Sequence, residues 1–314
     1  MLRNALLYLS SQPQVFSFVR HNGVAKGFAS RFVAGETLDD ALAAVRRLND
    51  CGITASLDLL GESVHNEAEA RASARQYIEM LDSIHDKSLD ANVSVKLTAM
   101  GLDISEELCV ANMQDILDRA HHHSSFVRLD MESSEYTQKT LDLFYDRLYP
   151  SFRGNVGIVL QSYLYRTAAD VERANEACAR VRICKGAYKE PESVAYPDKK
   201  DVDSAYIRAM HALMLDGHYP GIATHDEDIV NDARRFARDN DISPDKFEFQ
   251  MLYGVRRDLQ EKLVRDGYRM RVYVPFGTQW YPYLMRRLAE RPANVAFLTG
   301  NVIKEMVGRR RHRA

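Results

Sequence analysis

The sequence predicts a single α/β domain: a distorted (βα)₈ barrel of the TIM type, carrying extra helices at its amino terminus. Three observations lead there. Short apolar runs alternate with amphipathic helical patterns from residue 36 onward, eight such runs can be placed, and no glycine-rich phosphate loop follows the first of them. An open nucleotide-binding sheet would carry that loop as GxGxxG after its first strand, whereas Leu60-Gly61-Glu62-Ser63 stands there instead.

In chain order, residues 1–35 read as a helical extension, with apolar stretches at Ala5–Leu9 and Val15–Val19. Arg3, Arg20, Lys26 and Arg31 with no acid before Glu36 resemble a transit peptide in composition, but removal of these stretches would strip apolar cover from the barrel. Thr37 to Asn49 is the first helix of the barrel, capped by Thr37 with Asp39 and Asp40 in its first turn. The strands follow at Ile53–Leu59, Val93–Leu97, Val127–Met131, Val156–Leu160, Val181–Cys184, Ile222–Thr224, Phe247–Leu252 and Met270–Val274. Each is short and mostly apolar, as expected of strands covered on both faces. The barrel spans 36–300, and a basic tail, 301–314, closes a one-domain chain.

Composition narrows the function. Of 314 residues, 42 are Lys or Arg and 44 Asp or Glu, so no basic field recruits nucleic acid. Four scattered cysteines without a CxxC pair suit a reducing, cytoplasmic setting and exclude a zinc ribbon. No run approaches the roughly 18 apolar residues of a spanning helix. His121-His122-His123 has no acid or cysteine at ligand spacing, so no metal is expected.

The chemistry is expected at the carboxyl ends of the strands, where the loops of a (βα)₈ barrel surround one cavity. Lys96, Asp130, Gln161, Arg182, Lys185, Thr224, His225 and Tyr273 all fall there. Past the last strand, Tyr283, Arg286, Arg287 and Glu290 are spaced to share one face of a helix. Adjacent arginines form a natural fork for a carboxylate, and Trp280, Tyr281 and Tyr283 suit an apolar pocket beside it. A Schiff-base lyase using Lys96 or Lys185 is the rival reading of the same barrel.

The runs Arg31–Glu36, Val93–Leu97, Arg128–Met131, Arg182–Tyr188, Ala223–His225, Phe247–Gln250, Val272–Gly277 and Tyr283–Arg287 resemble, in order, the proline dehydrogenase (proline oxidase) family. The resemblance implies oxidation of L-proline to Δ1-pyrroline-5-carboxylate, with FAD as cofactor and a quinone as final acceptor. It implies the monofunctional type, since members fused to an aldehyde dehydrogenase are far longer. By the same resemblance Arg286, Arg287 and Lys96 bind the proline carboxylate, Tyr273 and Tyr283 wall its ring, and Asp130 holds the cluster's geometry. Arg182 is the cation beside the flavin. Met131, Gln161, Lys185, Gly186 and Ala187 are further flavin contacts, and Thr224 and His225 touch the remainder of the FAD. Because the family passes electrons to a membrane quinone, the basic tail and amino-terminal segment are candidates for peripheral contact with anionic lipid at the inner face of the membrane.

Overall fold

In the computed structural model of the chain the described residues are 29–61 and 64–290, with backbone alone described for 286–290. The amino-terminal helices expected within 1–28, the end of the barrel at 291–300 and the tail 301–314 lie outside them.

Eight parallel strands close into a barrel in sequence order. They are β1 (Thr54–Leu59), β2 (Ala91–Val95), β3 (Val127–Leu129), β4 (Val156–Gln161), β5 (Arg180–Cys184), β6 (Gly221–Ala223), β7 (Glu248–Leu252) and β8 (Met270–Phe276). The outer layer contains α1 (Leu38–Asn49), α2 (Glu67–Asp86), α3 (Glu106–His122), α4 (Ser134–Asp142), α5 (Tyr149–Phe152), α6 (Thr167–Glu176), α7 (Lys199–Asp216), α8 (Glu227–Asp239) and α9 (Arg257–Arg265). A last helix, α10 (Trp280–Glu290), follows β8. A π-helical stretch, Leu143–Leu148, joins α4 to α5 and was not expected from the sequence.

The first helix starts as its cap chemistry demands. The Asp40 amide donates to Thr37 Oγ1 at 3.2 Å, and Asp40 Oδ2 accepts from the Thr37 amide at 3.2 Å, a reciprocal capping box. Asn66 caps α2 and Ser105 caps α3, each side chain accepting the amide three residues on.

The strands differ from expectation on their inner face. Outward residues such as Val93, Val95, Val127, Leu129, Val181, Ile183, Phe249 and Val272 are buried under the helices, as predicted. Many inward positions are polar or charged, where barrels ordinarily stack branched apolar side chains. The contacts establish this direction. Arg182 on β5 reaches Asp130 after β3 and Ser94 on β2, and Tyr273 on β8 reaches Asp130, spans that only the lumen allows.

At the amino-terminal base, Arg128 Nη1 donates to the carbonyls of Ile158 at 2.9 Å and Arg180 at 2.6 Å. Arg271 Nε donates to Glu248 Oε1 at 2.7 Å and its Nη1 to the Ala55 carbonyl at 2.7 Å. Stacking closes the base: the Arg180 guanidinium lies 4.4 Å from the Phe126 ring centroid and 4.6 Å from that of Tyr219. Two glycines make room for these side chains. A Cβ at Gly157 would stand 2.8 Å from Arg128 Nη1 and 2.4 Å from the Arg180 carbonyl, and one at Gly221 would stand 2.4 Å from Gln250 Nε2.

Two outcomes follow for stability. Gly157→Ala forces backbone apart and is expected to cost roughly 1–3 kcal/mol, lowering Tm by several degrees in a thermal melt. Burial opposes ionisation of Glu248, but Arg271 overrides it and draws the carboxyl from 4.5 down to about 2. A depressed folded value means the unfolded chain binds the proton first. Stability from this pair is therefore full above the unfolded pKa and is lost as pH falls from about 4.5 toward about 2. Urea titrations across that window should show a loss of about 3 kcal/mol assignable to this group, absent in Glu248→Gln.

Candidate active site

At the carboxyl end of the barrel the same inward alternation continues into a connected ionic cluster. Asp130, just past β3, accepts from Arg182 Nη1 at 2.7 Å, from Ser94 Oγ at 3.1 Å and from the Tyr273 hydroxyl at 2.7 Å. Arg182 also donates to Ser94 Oγ at 3.2 Å and through Nε to Gln250 Oε1 at 2.5 Å. Gln250 is oriented from its other end, because its Nε2 donates to Glu248 Oε1 at 2.6 Å. The chain of contacts thus runs from the base, through Gln250, to Arg182 at the mouth. The guanidinium also stands 5.3 Å from the centroid of the Tyr273 ring.

Lys96, one residue past β2, pairs with Asp58 of β1 at 2.8 Å and lies 4.0 Å from Asp130. Burial holds the Asp58 carboxyl above its ordinary value; the neighbouring Asp130 adds to the rise and Lys96 works against it. Burial, then Asp130 and Asp58, also push the Tyr273 phenol well up, so it is a neutral donor. The cluster therefore places two cations, Arg182 and Lys96, against two carboxylates at the buried mouth of the barrel: all but Tyr273 are less than 9% exposed.

The next loops are tied to this cluster. Thr98 donates its amide at 3.2 Å and its hydroxyl at 2.6 Å to the buried Glu132 carboxylate. Gln161, at the end of β4, donates its amide to the carbonyls of Glu132 at 3.1 Å and Met131 at 3.4 Å. Its Oε1 is buried and has no hydrogen-bond partner among the described residues. Met131 itself is 7% exposed.

Other residues singled out from the sequence make contacts within the protein. Lys185 lies between Asp203 at 2.6 Å and Asp226 at 2.9 Å, so its ammonium locks α7 to the end of β6. The close approach at Gly186 is to protein: φ is +109° there, and a Cβ would stand 2.4 Å from the Tyr163 ring. Ala187 is exposed in the same loop. His225 Nε2 accepts the Leu252 amide at 2.9 Å, which requires that nitrogen unprotonated and fixes the ring against β7. Thr224 Oγ1 accepts the Asp226 amide at 3.1 Å. Both lysines considered for a Schiff base are engaged by carboxylates, the reverse of the cation-crowded or apolar surroundings that free an amine. Desolvation pushes the Cys184 thiol up to about 11, which leaves little thiolate at neutral pH.

The helix expected to carry Arg286 and Arg287 is present as α10, and its backbone runs through both positions. Tyr283 is buried in an apolar cluster with Phe32, Val33, Leu60, Trp280 and Leu284. His121 and His123 contact Asn155 and Asp82, at 3.0 and 2.7 Å. Among the described residues no three His, Cys, Asp or Glu side chains have metal-holding geometry, and no helix is long and apolar enough to cross a membrane.

Sequence reasoning missed Asp58, Ser94, Glu132, Glu248 and Gln250 as members of the cluster. For the strand members the signal was a polar residue at alternate positions of β1, β2, β7 and β8, hidden among apolar neighbours.

A profile of the proline dehydrogenase family matches residues 41–300. Proline dehydrogenase 1 of Bacillus subtilis subsp. natto is 41% identical over 305 residues, covering 97% of this chain and 100% of that protein. Proline dehydrogenase of Deinococcus radiodurans is 40% identical over 307 residues, with 97% and 98% coverage. Among solved structures, proline utilization A (PutA) from Bdellovibrio bacteriovorus, inactivated by N-propargylglycine, superposes with a TM-score of 0.80 at 27% identity, over 88% of this chain. This chain spans about a third, 34%, of that larger protein. With the barrel and its ionic mouth in agreement, the chain belongs to the proline dehydrogenase family and is an oxidoreductase of the first step of proline catabolism.

Proposed function

We propose that the chain oxidises L-proline to Δ1-pyrroline-5-carboxylate with FAD as its cofactor and a quinone as the acceptor that completes turnover. The observation that carries this reading is the buried pair of cations, Arg182 and Lys96, held at the barrel mouth by Asp130 and Asp58. With Arg286 and Arg287 added, the cations outnumber the two carboxylates, a balance that draws in an anionic substrate and disfavours a protonated amine beside it.

The residues present fit a flavin. Gln161 Oε1 is a buried acceptor without a donor among the described residues, and its own amide is fixed by two carbonyls, so a ring N–H would complete it. Met131, Gln161 and Arg182 would hold the ring, with Lys185, Gly186 and Ala187 on the adjoining loop and Thr224 and His225 toward the remainder of the FAD. Bound FAD supplies the two-electron acceptor for the hydride that leaves the ring carbon next to the nitrogen.

The chain's own residues do the rest. Arg286 and Arg287 fork the carboxylate together with Lys96. Tyr273 and Tyr283 wall the ring, which excludes water from the reacting face. Asp130 fixes both Arg182 and the Tyr273 hydroxyl, so one carboxylate sets the cofactor-side cation and the substrate-side wall. With the ammonium form disfavoured, the nitrogen lone pair is free to push as the imine forms. In this reading the chain is one functional unit, a barrel at 36–300 with a helical extension at 1–35 and a basic tail at 301–314. It works in the cytoplasm, touching anionic lipid peripherally to reach its quinone.

Three measurements test this. The visible spectrum of protein supplied with FAD should lose its oxidised-flavin band on anaerobic addition of L-proline; a flavin band indifferent to proline sinks the substrate, and no band sinks the cofactor. Asp130→Asn releases Arg182 and Tyr273 together and should lower kcat/KM by about 10²-fold or more, read by steady-state rates with an artificial acceptor. Arg287→Lys should instead raise KM for proline by about tenfold or more, since an ammonium cannot make the paired contact.

A further inference from the structure

The first residue of the arginine helix, Trp280, is the sole tryptophan of the chain, and it is 3% exposed. An indole has one donor, and burial makes an unmet N–H costly. Trp280 Nε1 donates to Glu36 Oε1 at 3.1 Å, across 244 positions of sequence.

Glu36 stands on a segment that the barrel holds firmly. The Ala34 amide donates to the Pro275 carbonyl at 2.9 Å, and the Gly277 amide to the Gly35 carbonyl at 3.0 Å, so residues 34 and 35 run beside the end of β8. Gly35 at φ +132° and Gly277 at φ +116° make this passage possible. A Cβ at Gly254 would stand 1.7 Å from the Arg31 carbonyl, which shows how tightly the loop after β7 braces the same segment. One residue beyond Glu36, Thr37 caps α1. Phe32 and Val33 of this segment share an apolar cluster with Trp280, Tyr281, Leu284 and Met285 of α10. Apolar contact is non-directional, whereas the Trp280–Glu36 hydrogen bond adds a directed contact at the start of the helix.

We propose that Glu36 is a positioning residue for capture of the substrate carboxylate: it anchors the first turn of α10 through Trp280 and so sets where Arg286 and Arg287 stand relative to Lys96 and Arg182. The inference rests on the reading of those two arginines as the carboxylate fork. Position 287 lies about 10 Å along the helix from position 280, so a tilt of about 6° at the anchor moves it by about 1 Å. A fork that depends on paired geometry loses much of its hold over that distance. A carboxylate at this place also favours the helix amino terminus, an effect smaller than that of the directed bond.

The test uses the full-length, FAD-loaded protein with an artificial electron acceptor and compares Glu36→Ala, Glu36→Gln and Trp280→Phe, with Arg287→Lys as the control for the fork. Losing the bond should raise KM for proline about tenfold in Glu36→Ala and Trp280→Phe, with kcat within about threefold of the parent. Glu36→Gln keeps an acceptor oxygen and should restore KM to within about threefold. Trp280 emission, free of any other tryptophan, should shift to the red in Glu36→Ala and stay in place in Glu36→Gln. Unchanged KM in flavin-loaded Glu36→Ala or Trp280→Phe overturns the proposal, as does Glu36→Gln behaving like Glu36→Ala. If Glu36→Ala does not fold, Trp280→Phe alone decides the question. Should Arg287→Lys leave KM unchanged while Trp280 emission responds to Glu36→Ala, the fork reading has failed and the anchor has not.

Discussion

The ion pair between Arg182 and Asp130, enclosed in the lumen of the barrel, is the interaction on which the rest of the structure depends. Two charges withdrawn from water cost more than their mutual attraction returns unless their remaining donors and acceptors are also met. The neighbouring side chains meet this need: Ser94 and Tyr273 at Asp130, Ser94 and Gln250 at Arg182. Gln250 in turn leans on Glu248, and Glu248 on Arg271. A polar choice at one inward position therefore propagates around the barrel. It also dictates where side chains are absent, because Gly157 and Gly221 leave the space that Arg128 and Gln250 fill. The outward residues, relieved of this duty, supply the apolar core against the helices.

The same network explains why stability and chemistry occupy opposite ends of one lumen. At the base, Arg271 and Glu248 pair closely, and Arg180 is sandwiched by Phe126 and Tyr219, so charge there is spent on closure. At the mouth, Lys96 and Arg182 are held by carboxylates on one side and face loops on the other. Gln250, uncharged, joins the two ends while keeping Glu248 from pairing directly with Arg182. A second carboxylate on Arg182 would leave the group net negative, which an anionic substrate and an electron-accepting cofactor both disfavour.

Much of this was legible in the sequence, and the part that was not has a physical reason. Every strand lies within two residues of its expected place, because short apolar runs between capped helices leave little choice. Lys96, Asp130, Arg182 and Tyr273 were placed at strand ends, and they do meet. Asp58, Ser94, Glu248 and Gln250 went unnoticed because Val, Leu and Phe flanked them and the runs read as apolar on both faces. Period-two alternation, Ser56 and Asp58, Ser94 and Lys96, Glu248 and Gln250, Arg271 and Tyr273, was the available signal. His225 and Lys185 show the converse limit. A sequence marks a polar residue at a strand end, but whether it turns to the cavity or to a neighbouring amide or carboxylate is decided by contacts distant in the chain.

The two halves of the site are built by different physics. The barrel half is over-determined, since Asp130 alone has three donors from three strands and cannot shift without releasing all of them. The helix half approaches from outside the lumen, and its first turn rests on an apolar cluster and a hydrogen bond from Trp280 to Glu36. Rigid placement suits the groups that shape the reacting centre, where small displacements are costly in rate. A helix seated on an apolar cluster and oriented from its first turn can yield without disturbing that centre. A protein arranged in this way separates its response to change: alterations in the lumen act on chemistry and stability together, and alterations at the helix anchor act on how well the substrate is held.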